Sequence, residues 1–505
     1  MESRIPIALI VAIDIRNGIS KNNTIPWKIK EDSNFFQDVT KRQYEKNKSN
    51  AVIMGKNTWK ALPDDYRGLK DRINIIVSST MNKNELDKDN MTGTPSYIVP
   101  TLEKAINLCQ NELDLGKIFI CGGSHIYEEA IVKHQIDEFY ITKIYHDFLC
   151  TNQFPIELII HNSSHYMTNF KLHKSTLFKV ADQNTNKLYD VEFCKYYNKD
   201  IQLPKHFMNT SEHQYLDLME YVLKNGHFRQ TRNSKTWSVF GKTLEFDLGQ
   251  GFPILSTKKL FFRGVFEELL FFLKGDTNAQ NLSEKGVKIW DLNTTRGFLD
   301  SVRLNHYDVG DMGPMYGFQF RHHGIPYRGM NEDYNGLGFD QIDYCLNLLK
   351  TDPYSRRIVM TSFNPAQARE GVLYPCHSLV IQFYVENNNK LSASVYNRSQ
   401  DYLLGSPFNL CMAGLLVHMF CEVINNDPNY KNEKYLPGRL IMNLGDVHIY
   451  EDHYSESIRQ ILRDPYDFPK LIFNRKVIDL TDFKYEDLEL LNYECYPNII
   501  AKMIA

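Results

Sequence analysis

Five near-continuous apolar runs, each followed by a polar or helical stretch, limit what the first 198 or so residues can become. They read "IALIVAI", "AVIM", "RINIIV", "KIFIC" and "EFYITKI". A strand with one wet face alternates apolar and polar residues, and these do not. Interleaved with helical stretches, they predict an α/β domain: a mostly parallel sheet with helices on both faces. Only Arg4 precedes the first run, and Asp14 closes it. A signal peptide would carry more charge before it and a small-residue cleavage site after it, so the run reads as a buried strand. No stretch is expected to reach the roughly 20 apolar residues of a membrane span. No segment repeats at a solenoid period.

The text turns polar at "KYYNKDIQLPKHFMNTSEH". A boundary is expected there, with residues 199–210 as a linker between domains 1–198 and 211–505. A chain of 505 residues suits two or more domains. The second domain opens with a helix, "YLDLMEYVLKNG", ending at Gly226. Later, "HSLVIQFYVENNNKLSASVYNRS" reads as two strands around an Asn turn, with Leu379, Ile381, Phe383 and Val385 alternating along the first. Ser406 and Pro407 then read as N-cap and first residue of a long helix, "FNLCMAGLLVHMFCEVI".

Composition excludes little. With 58 Lys+Arg against 61 Asp+Glu, the whole-chain charge does not argue for nucleic acid, though it leaves room for a local basic pocket. Nine scattered cysteines, odd in number and free of any CxxC pair, read as reduced thiols in a cytoplasmic protein, with no disulfide frame or zinc site.

In the first domain, "KIFICGGSHIYEEAI" runs strand, Gly122-Gly123, helix. Such glycines let a backbone approach a phosphate that the helix N-terminus attracts. Alone, the pattern is more often a tight strand–helix turn. No GxGxxG follows the first strand, which disfavours an ordinary Rossmann site. "GKNTW" repeats the idea, with Lys56 and Thr58 after Gly55; an exposed lysine is the plainer reading. In "IPWKIKEDSNFF", Asp32 and Phe36 share one helical face. A carboxylate there must find donors, such as the adjacent ring N–H and amino group of a flat ligand, or stay protonated. The alternative is Asp32 as a helix N-cap.

These motifs, with "IVAID…NGIS…IPW", "VIMGKNTW" and "RINIIVSS", make the first domain resemble dihydrofolate reductase. The resemblance implies that Asp32 holds and helps protonate the pteridine, Thr142 backs that carboxylate, Phe36 stacks on the ligand and Arg72 takes the glutamate tail. It implies an NADPH site lined by Ala12, Ile19, Gly55, Lys56, Thr58, Ser78, Ser79, Gly122, Gly123, Ser124 and Tyr127. In "NGIS", Ser20 stands where the family usually has a second glycine, which bears on that loop's mobility.

In the second domain, "LYPCHS" poses a question about Cys376. Any one cysteine is most often simply buried. A nucleophile needs thiolate character, which nearby positive charge favours. Candidates are Arg398 in "NRSQD", Arg356 and Arg357 in "DPYSRR", and Arg232; in turns they are ordinary surface charge unless they converge on a phosphate. His448 and Tyr450 in "GDVHIYEDH" are two apart on an expected strand and point the same way, so both could reach one sugar hydroxyl. A metal reading of His448, Asp452 and His453 lacks an established ligand spacing. Asn409 carries a donor and an acceptor that suit a base edge.

"FEELLFFLKGDTN", "IWDLN", "DMGPMYGFQFR", "DPYSRR", "YPCHS", "QFYV", "YNRSQDYLLGSPFN" and "GDVHIY" make residues 211–505 resemble thymidylate synthase, an α+β fold. The resemblance implies that Cys376 adds to C6 of deoxyuridine monophosphate. C5 then attacks the methylene of 5,10-methylene-tetrahydrofolate, and hydride from the folate completes the methyl group. It implies Glu268 as organiser of proton transfer. Arg232, Arg398 and Ser399 would hold the phosphate, with Arg356 and Arg357 from a second subunit of an obligate homodimer. Asp401 and Asn409 would read base and folate, His448 and Tyr450 would take the ribose hydroxyl, Trp290 and Asn293 would contact the folate, and His377 would be a further substrate-binding residue. The C-terminal "KMIA" would close over the site. Where the family tends to read Arg-Thr-Gly-x-Gly, this chain has "TRNSKT", which shifts the register at Arg232.

Both halves on one chain resemble the bifunctional reductase–synthases of protozoa, and the linker, short compared with some apicomplexan relatives, suggests that species group. The substrates implied are small molecules, with no membrane and no nucleic acid required. Two rivals stand beside this reading: one half kept only as a scaffold, or a nucleotide- or RNA-binding regulator. The second lacks the aromatic–basic interleaving such binders show.

Overall fold

The computed structural model describes residues 4–160, 170–208, 210–231 and 234–504. The chain divides into two compact units: residues 1–208 with 462–464, and residues 209–461 with 465–505.

The first unit contains strands β1 (Ile7–Asp14), β2 (Gly18–Ser20), β3 (Ser49–Gly55), β4 (Arg72–Val77), β5 (Ser96–Val99), β6 (Leu115–Ile120), β7 (Glu138–Ile144), β8 (Asn152–Gln153), β9 (Phe170–Ala181) and β10 (Leu188–Asn198). Its helices are α1 (Lys30–Lys41), α2 (Lys56–Ala61), α3 (Lys83–Asp89), α4 (Leu102–Asn111), α5 (Ser124–Lys133) and α6 (Ile156–Ile160). Eight strands form one sheet, ordered β5-β4-β3-β6-β1-β7-β10-β9. All neighbours from β5 to β7 are parallel; β10 and β9 add an antiparallel hairpin. The apolar runs of the sequence are the central strands. Ala8, Leu9, Val52, Ile53, Ile118, Phe119 and Ile120 are fully buried, as strands covered on both faces must be. The short β2–β8 ribbon ties down the loop after β1. Asn152 Nδ2 donates to Ser20 Oγ at 2.8 Å, a bond that glycine at position 20 could not accept.

The second unit begins with α7 (Thr210–Asn225), β11 (His227–Gln230), β12 (Lys235–Asp247), α8 (Phe262–Leu273), α9 (Gln280–Ser283), α10 (Arg296–Ser301), α11 (Gly317–Arg321) and α12 (Gln341–Thr351). It continues with β13 (Val359–Thr361), β14 (Val380–Glu386), β15 (Lys390–Asp401), α13 (Gly405–Asn426), β16 (Leu436–Tyr450), α14 (Tyr454–Ile461), β17 (Lys470–Phe473) and β18 (Leu488–Leu491). A mixed six-stranded sheet, β11-β12-β16-β15-β14-β13, carries one parallel pair, β15–β16. That pair is close: a Cβ on Gly445 would stand 2.6 Å from the Arg398 carbonyl oxygen. The Asn turn between β14 and β15 forms because Asn388 and Asn389 adopt left-handed φ of 60° and 52°, which asparagine tolerates.

Two expectations from sequence are corrected here. Helix α13 starts at Gly405, so Ser406 and Pro407 sit inside its first turn, where proline costs no hydrogen bond. Asp401 Oδ1 instead accepts from the Leu403 and Leu404 amides just ahead of it, both at 3.1 Å. The same helix is long and apolar enough, by composition, to cross a membrane, contrary to expectation; it is mostly buried in the core of this unit.

Candidate active sites

In the first unit, the parallel β1–β7 register places Ala12 opposite Thr142. Ala12 is the one residue of β1 not fully buried. Helix α1 begins at Lys30 after an Ile29 N-cap, so Asp32 is the helix's third residue and not its cap. Burial pushes the Asp32 carboxyl up to about 6; a hydrogen bond with Thr142 and the nearby Trp27 indole pull it back, and Glu31 adds to the rise. The Trp27 Nε1–H is buried and makes no hydrogen bond of ordinary geometry among the described residues. Phe36 follows one turn later, with the Arg72 guanidinium 5.8 Å from its ring centre. Arg72 is buried and donates to Thr40 Oγ1 at 2.7 Å and to the Lys70 carbonyl at 3.0 Å. No described carboxylate pairs with it, and burial lowers it to about 10. An acid, an aromatic ring and an unpaired buried cation suit a flat heterocycle with an anionic tail.

Across the sheet, β3 and β6 end side by side, and the Gly55 amide donates to the Gly122 carbonyl at 2.8 Å. Gly122 has φ +108°, and a Cβ there would stand 3.0 Å from the Tyr127 ring. Gly123 caps α5; a Cβ there would lie 3.4 Å from Thr58 Oγ1. The two glycines keep open a cradle that side chains would fill, and this fits a pyrophosphate-bearing cofactor. Ser124 Oγ donates to the Gln153 carbonyl, Ser78 Oγ accepts from the Thr80 and Met81 amides, and Ser79 is exposed. Tyr127 is buried with its hydroxyl on the Ile10 carbonyl, and Ile19 packs on the core. Lys56 is not free: its ammonium lies 3.1 Å from Glu85, which Lys60 also holds at 2.6 Å.

In the second unit, Cys376 lies in the loop before β14, and the Arg398 and Ser399 amides of β15 donate to its carbonyl at 2.9 and 3.3 Å. The Arg398 guanidinium clamps the same loop through the Pro375 and Tyr374 carbonyls. Tyr316, just before α11, lies with its hydroxyl 3.5 Å from Cys376 Sγ and accepts the Cys376 amide at 3.2 Å. His377 stacks on the Tyr316 ring at 4.4 Å, and burial drops its imidazole to about 4. The thiol sits higher than a guanidinium neighbour alone would set it. Burial pushes it up, Tyr316 and Arg398 hold it back, and Glu268 adds to the rise. Burial raises Glu268 on α8 to about 7, against a Trp290 Nε1–H hydrogen bond of 2.8 Å. Asn293 sits one turn beyond Trp290, donating its amide to the Trp290 carbonyl.

Asn409, on α13, donates to Gln400 Oε1 at 3.2 Å. His448 bonds Asp446 at 3.0 Å, and its ring lies 5.2 Å from that of Tyr450. Arg356 and Arg357 are exposed in the turn before β13 and make no hydrogen bond to the Cys376 loop. Arg232 lies outside the described residues. Lys502 is tied by its carbonyl to His453 Nε2 at 2.7 Å. Among the described residues, no group of three His, Cys, Asp or Glu is placed to hold a metal ion.

Sequence reasoning did not single out Tyr316 or Gln400. Tyr316 sits inside "DMGPMYGFQFR", but nothing in the letters places a hydroxyl against the thiol. Gln400 reads as an ordinary strand residue until its burial is known.

A thiol held with Tyr316, Arg398 and Glu268 in one unit, and a buried acid with a glycine cradle in the other, define the class: an enzyme with two separate candidate active sites on one chain. The family description "Dihydrofolate reductase" matches residues 6–196, and "Thymidylate synthase" matches residues 213–505. Bifunctional dihydrofolate reductase-thymidylate synthase 2 of Arabidopsis thaliana is 34% identical over 98% of this chain and 88% of its own length. The bifunctional enzymes of Paramecium tetraurelia and Leishmania major are also 34% identical, each over 98% of this chain and over 98% and 94% of their own lengths. The chain belongs to the bifunctional dihydrofolate reductase–thymidylate synthase family. Plant and protozoal relatives are equally similar to it.

Proposed function

We propose that the two sites carry the family's two reactions through the residues gathered above, and that the chain works as a homodimer. The chain is a bifunctional enzyme. It converts dUMP and 5,10-methylene-tetrahydrofolate to dTMP and dihydrofolate, and reduces dihydrofolate to tetrahydrofolate with NADPH. Residues 1–198 serve reduction and 211–505 serve methylation, joined by 199–210, in the cytoplasm. Nine scattered cysteines with no CxxC pair suit a reducing compartment.

Asp32 accepts the pterin's paired N–H groups, and near pH 6 it exists in both protonation states, which suits moving a proton to that ring. NADPH, held by the Gly122-Gly123 cradle with Thr58 and Ser124, supplies hydride. Phe36 covers the ring, and Arg72 takes the tail carboxylate.

The observation that carries the synthase assignment is the meeting of Cys376 Sγ and the Tyr316 hydroxyl on the loop that the Arg398 guanidinium clamps. An incoming phosphate brings negative charge to Arg398 and Ser399, so the nucleotide organises the cluster. Cys376 gives up its proton and adds to C6. Glu268, near pH 7, passes protons on and off the ring. Asn409 reads the base, His448 and Tyr450 the ribose.

Dimerisation has its own support. Val380 and Tyr396, opposite each other on β14 and β15, and Val359 and Tyr384 are all exposed. An open apolar sheet face suits a second copy. Arg356 and Arg357 precede its edge strand and are free to serve a neighbour's phosphate. Mass spectrometry after 5-fluoro-dUMP with methylene-tetrahydrofolate tests the nucleophile: the covalent adduct maps to Cys376, and an adduct elsewhere overturns the assignment. Mixing Cys376→Ser and Arg356→Ala chains tests sharing. Partial recovery of synthase activity in hybrids is expected, and no recovery rejects it.

A further inference from the structure

The segment that carries Cys376 is pinned on both sides. Upstream, the Arg398 and Ser399 amides hold the Cys376 carbonyl. Downstream, Leu379 donates its amide to the Tyr396 carbonyl at 2.9 Å, and the Ser378 carbonyl accepts from Ser362 Oγ at 2.9 Å. Between these anchors Ser378 has a φ of +51°, in the left-handed region that a residue with a Cβ avoids. Such conformations persist only where the surroundings impose them. Asn397 on β15 does so here. It is fully buried, and its Oδ1 accepts the Ser378 amide at 2.7 Å. A backbone N–H can only donate, so this bond fixes which end of the side-chain amide faces the loop. Asn397 Nδ2, also buried, finds no acceptor among the described residues. An unpaired buried N–H is unfavourable, so packing alone would favour an apolar side chain at this position.

We propose that Asn397 is a positioning residue for the nucleophile: by holding Ser378 left-handed it turns the Cys376–Ser378 segment so that the thiol meets the Tyr316 hydroxyl. This rests on the reading of Cys376 as the nucleophile. Without the Asn397 bond, Ser378 relaxes toward negative φ and the peptide before it rotates. The Tyr316 hydroxyl accepts the Cys376 amide at 3.2 Å and lies 3.5 Å from Sγ, so one rotation displaces both contacts. A misplacement of about 1 Å costs a reaction that depends on alignment roughly 100-fold. A carboxylate at position 397 could accept the same bond. Buried, it would add negative charge beside a loop whose thiol has to ionise, whereas the amide accepts without charge.

Asn397→Leu removes the acceptor at similar volume, and the orphaned N–H with it. Asn397→Ala serves if thermal unfolding shows the first variant to fold poorly. With methylene-tetrahydrofolate, 5-fluoro-dUMP reports the covalent step. The Sγ–C6 and C5–methylene bonds form, and fluorine at C5 leaves no proton to lose, so the adduct persists. We expect adduct formation to slow about 100-fold in either variant, while dUMP binding by calorimetry stays within about threefold. Adding Ser378→Gly to Asn397→Leu should recover about tenfold, measured against Ser378→Gly alone, because glycine takes a positive φ without a tie. A parental adduct rate in the Asn397 variants, an equal loss in dUMP binding and adduct rate, or no recovery with glycine overturns the positioning role. Failure of the parent chain to form the adduct on Cys376 rejects the nucleophile reading instead.

Discussion

Asp32 in the reductase unit and Glu268 in the synthase unit are acids in similar surroundings. Each lies beside a tryptophan, neither has a cationic partner among the described residues, and burial raises them to about 6 and about 7. Glu138 at the start of β7 is buried at least as deeply as either and behaves in the opposite way. Burial pushes it up, but Lys117 at 2.6 Å and His206 at 3.4 Å outweigh that and hold its carboxyl far below the ordinary range. Thr142, which backs Asp32, lies four residues along the same strand. Depth alone does not mark a working acid. Depth without a counter-ion does, because a proton can then be exchanged near neutral pH.

The largest tests of this contrast remove chemistry from one unit and spare the other. Cys376→Ser should lower thymidylate formation on the order of 10⁴-fold or more while dihydrofolate reduction stays within about twofold. Asp32→Asn should do the reverse, lowering reduction at pH 7 by roughly 10²–10³-fold with the synthase unaffected. Reductase rates in the unaltered chain should fall as pH rises past about 6, the value burial gives Asp32, and that limb should vanish in the variant. If either substitution removed both activities in folded protein, the division of labour between units would be wrong.

Much of this was legible in the letters. Continuous apolar runs specified β1, β3, β4, β6 and β7, because strands covered on both faces leave no room for alternation. Asp32 and Phe36 at helical spacing, and Cys376 amid arginines, were visible as candidates. What stayed hidden depends on partners distant in sequence. No local pattern says that Tyr316 reaches Cys376 across 60 residues, or that Lys56 is held by Glu85. Nor could spacing say whether burial or Arg398 wins at the thiol. The start of α13 was misread because Ser-Pro is a common helix opening, while here Asp401 makes the turn into the helix.

Glu268 and Glu138 give the next pair of tests. Glu268→Gln should cost the synthase roughly 10²–10³-fold yet stabilise the fold. Glu268 has a raised carboxyl, so its neutral form is preferred in the native state. Stability is lost as pH rises from the unfolded value through about 7. The gain from glutamine should therefore be near zero at pH 4 and reach at most about 3 kcal/mol at pH 8, by denaturant titration. Glu138→Gln should instead destabilise by roughly 3–5 kcal/mol at neutral pH, because Lys117 is left buried and unpaired. A Glu138→Gln chain as stable as the parent would end the contrast.

The smallest effect belongs to an acid at the other extreme. Glu85, on α3, is exposed enough for solvent to screen it, and contact with Lys60 and Lys56 holds its carboxyl below the usual range. Here the pairing competes with a ligand, since Lys56 is expected to meet a cofactor phosphate. Releasing both lysines with Glu85→Gln should lower KM for NADPH about two- to threefold at low ionic strength. The difference should fade by about 0.5 M salt, where charges in contact with water are screened within a few ångströms. NADH, which lacks the extra phosphate, should show no comparable gain. An equal improvement for both cofactors would place the lysines away from that phosphate and leave their pairing with Glu85 a surface feature of α2 and α3 alone.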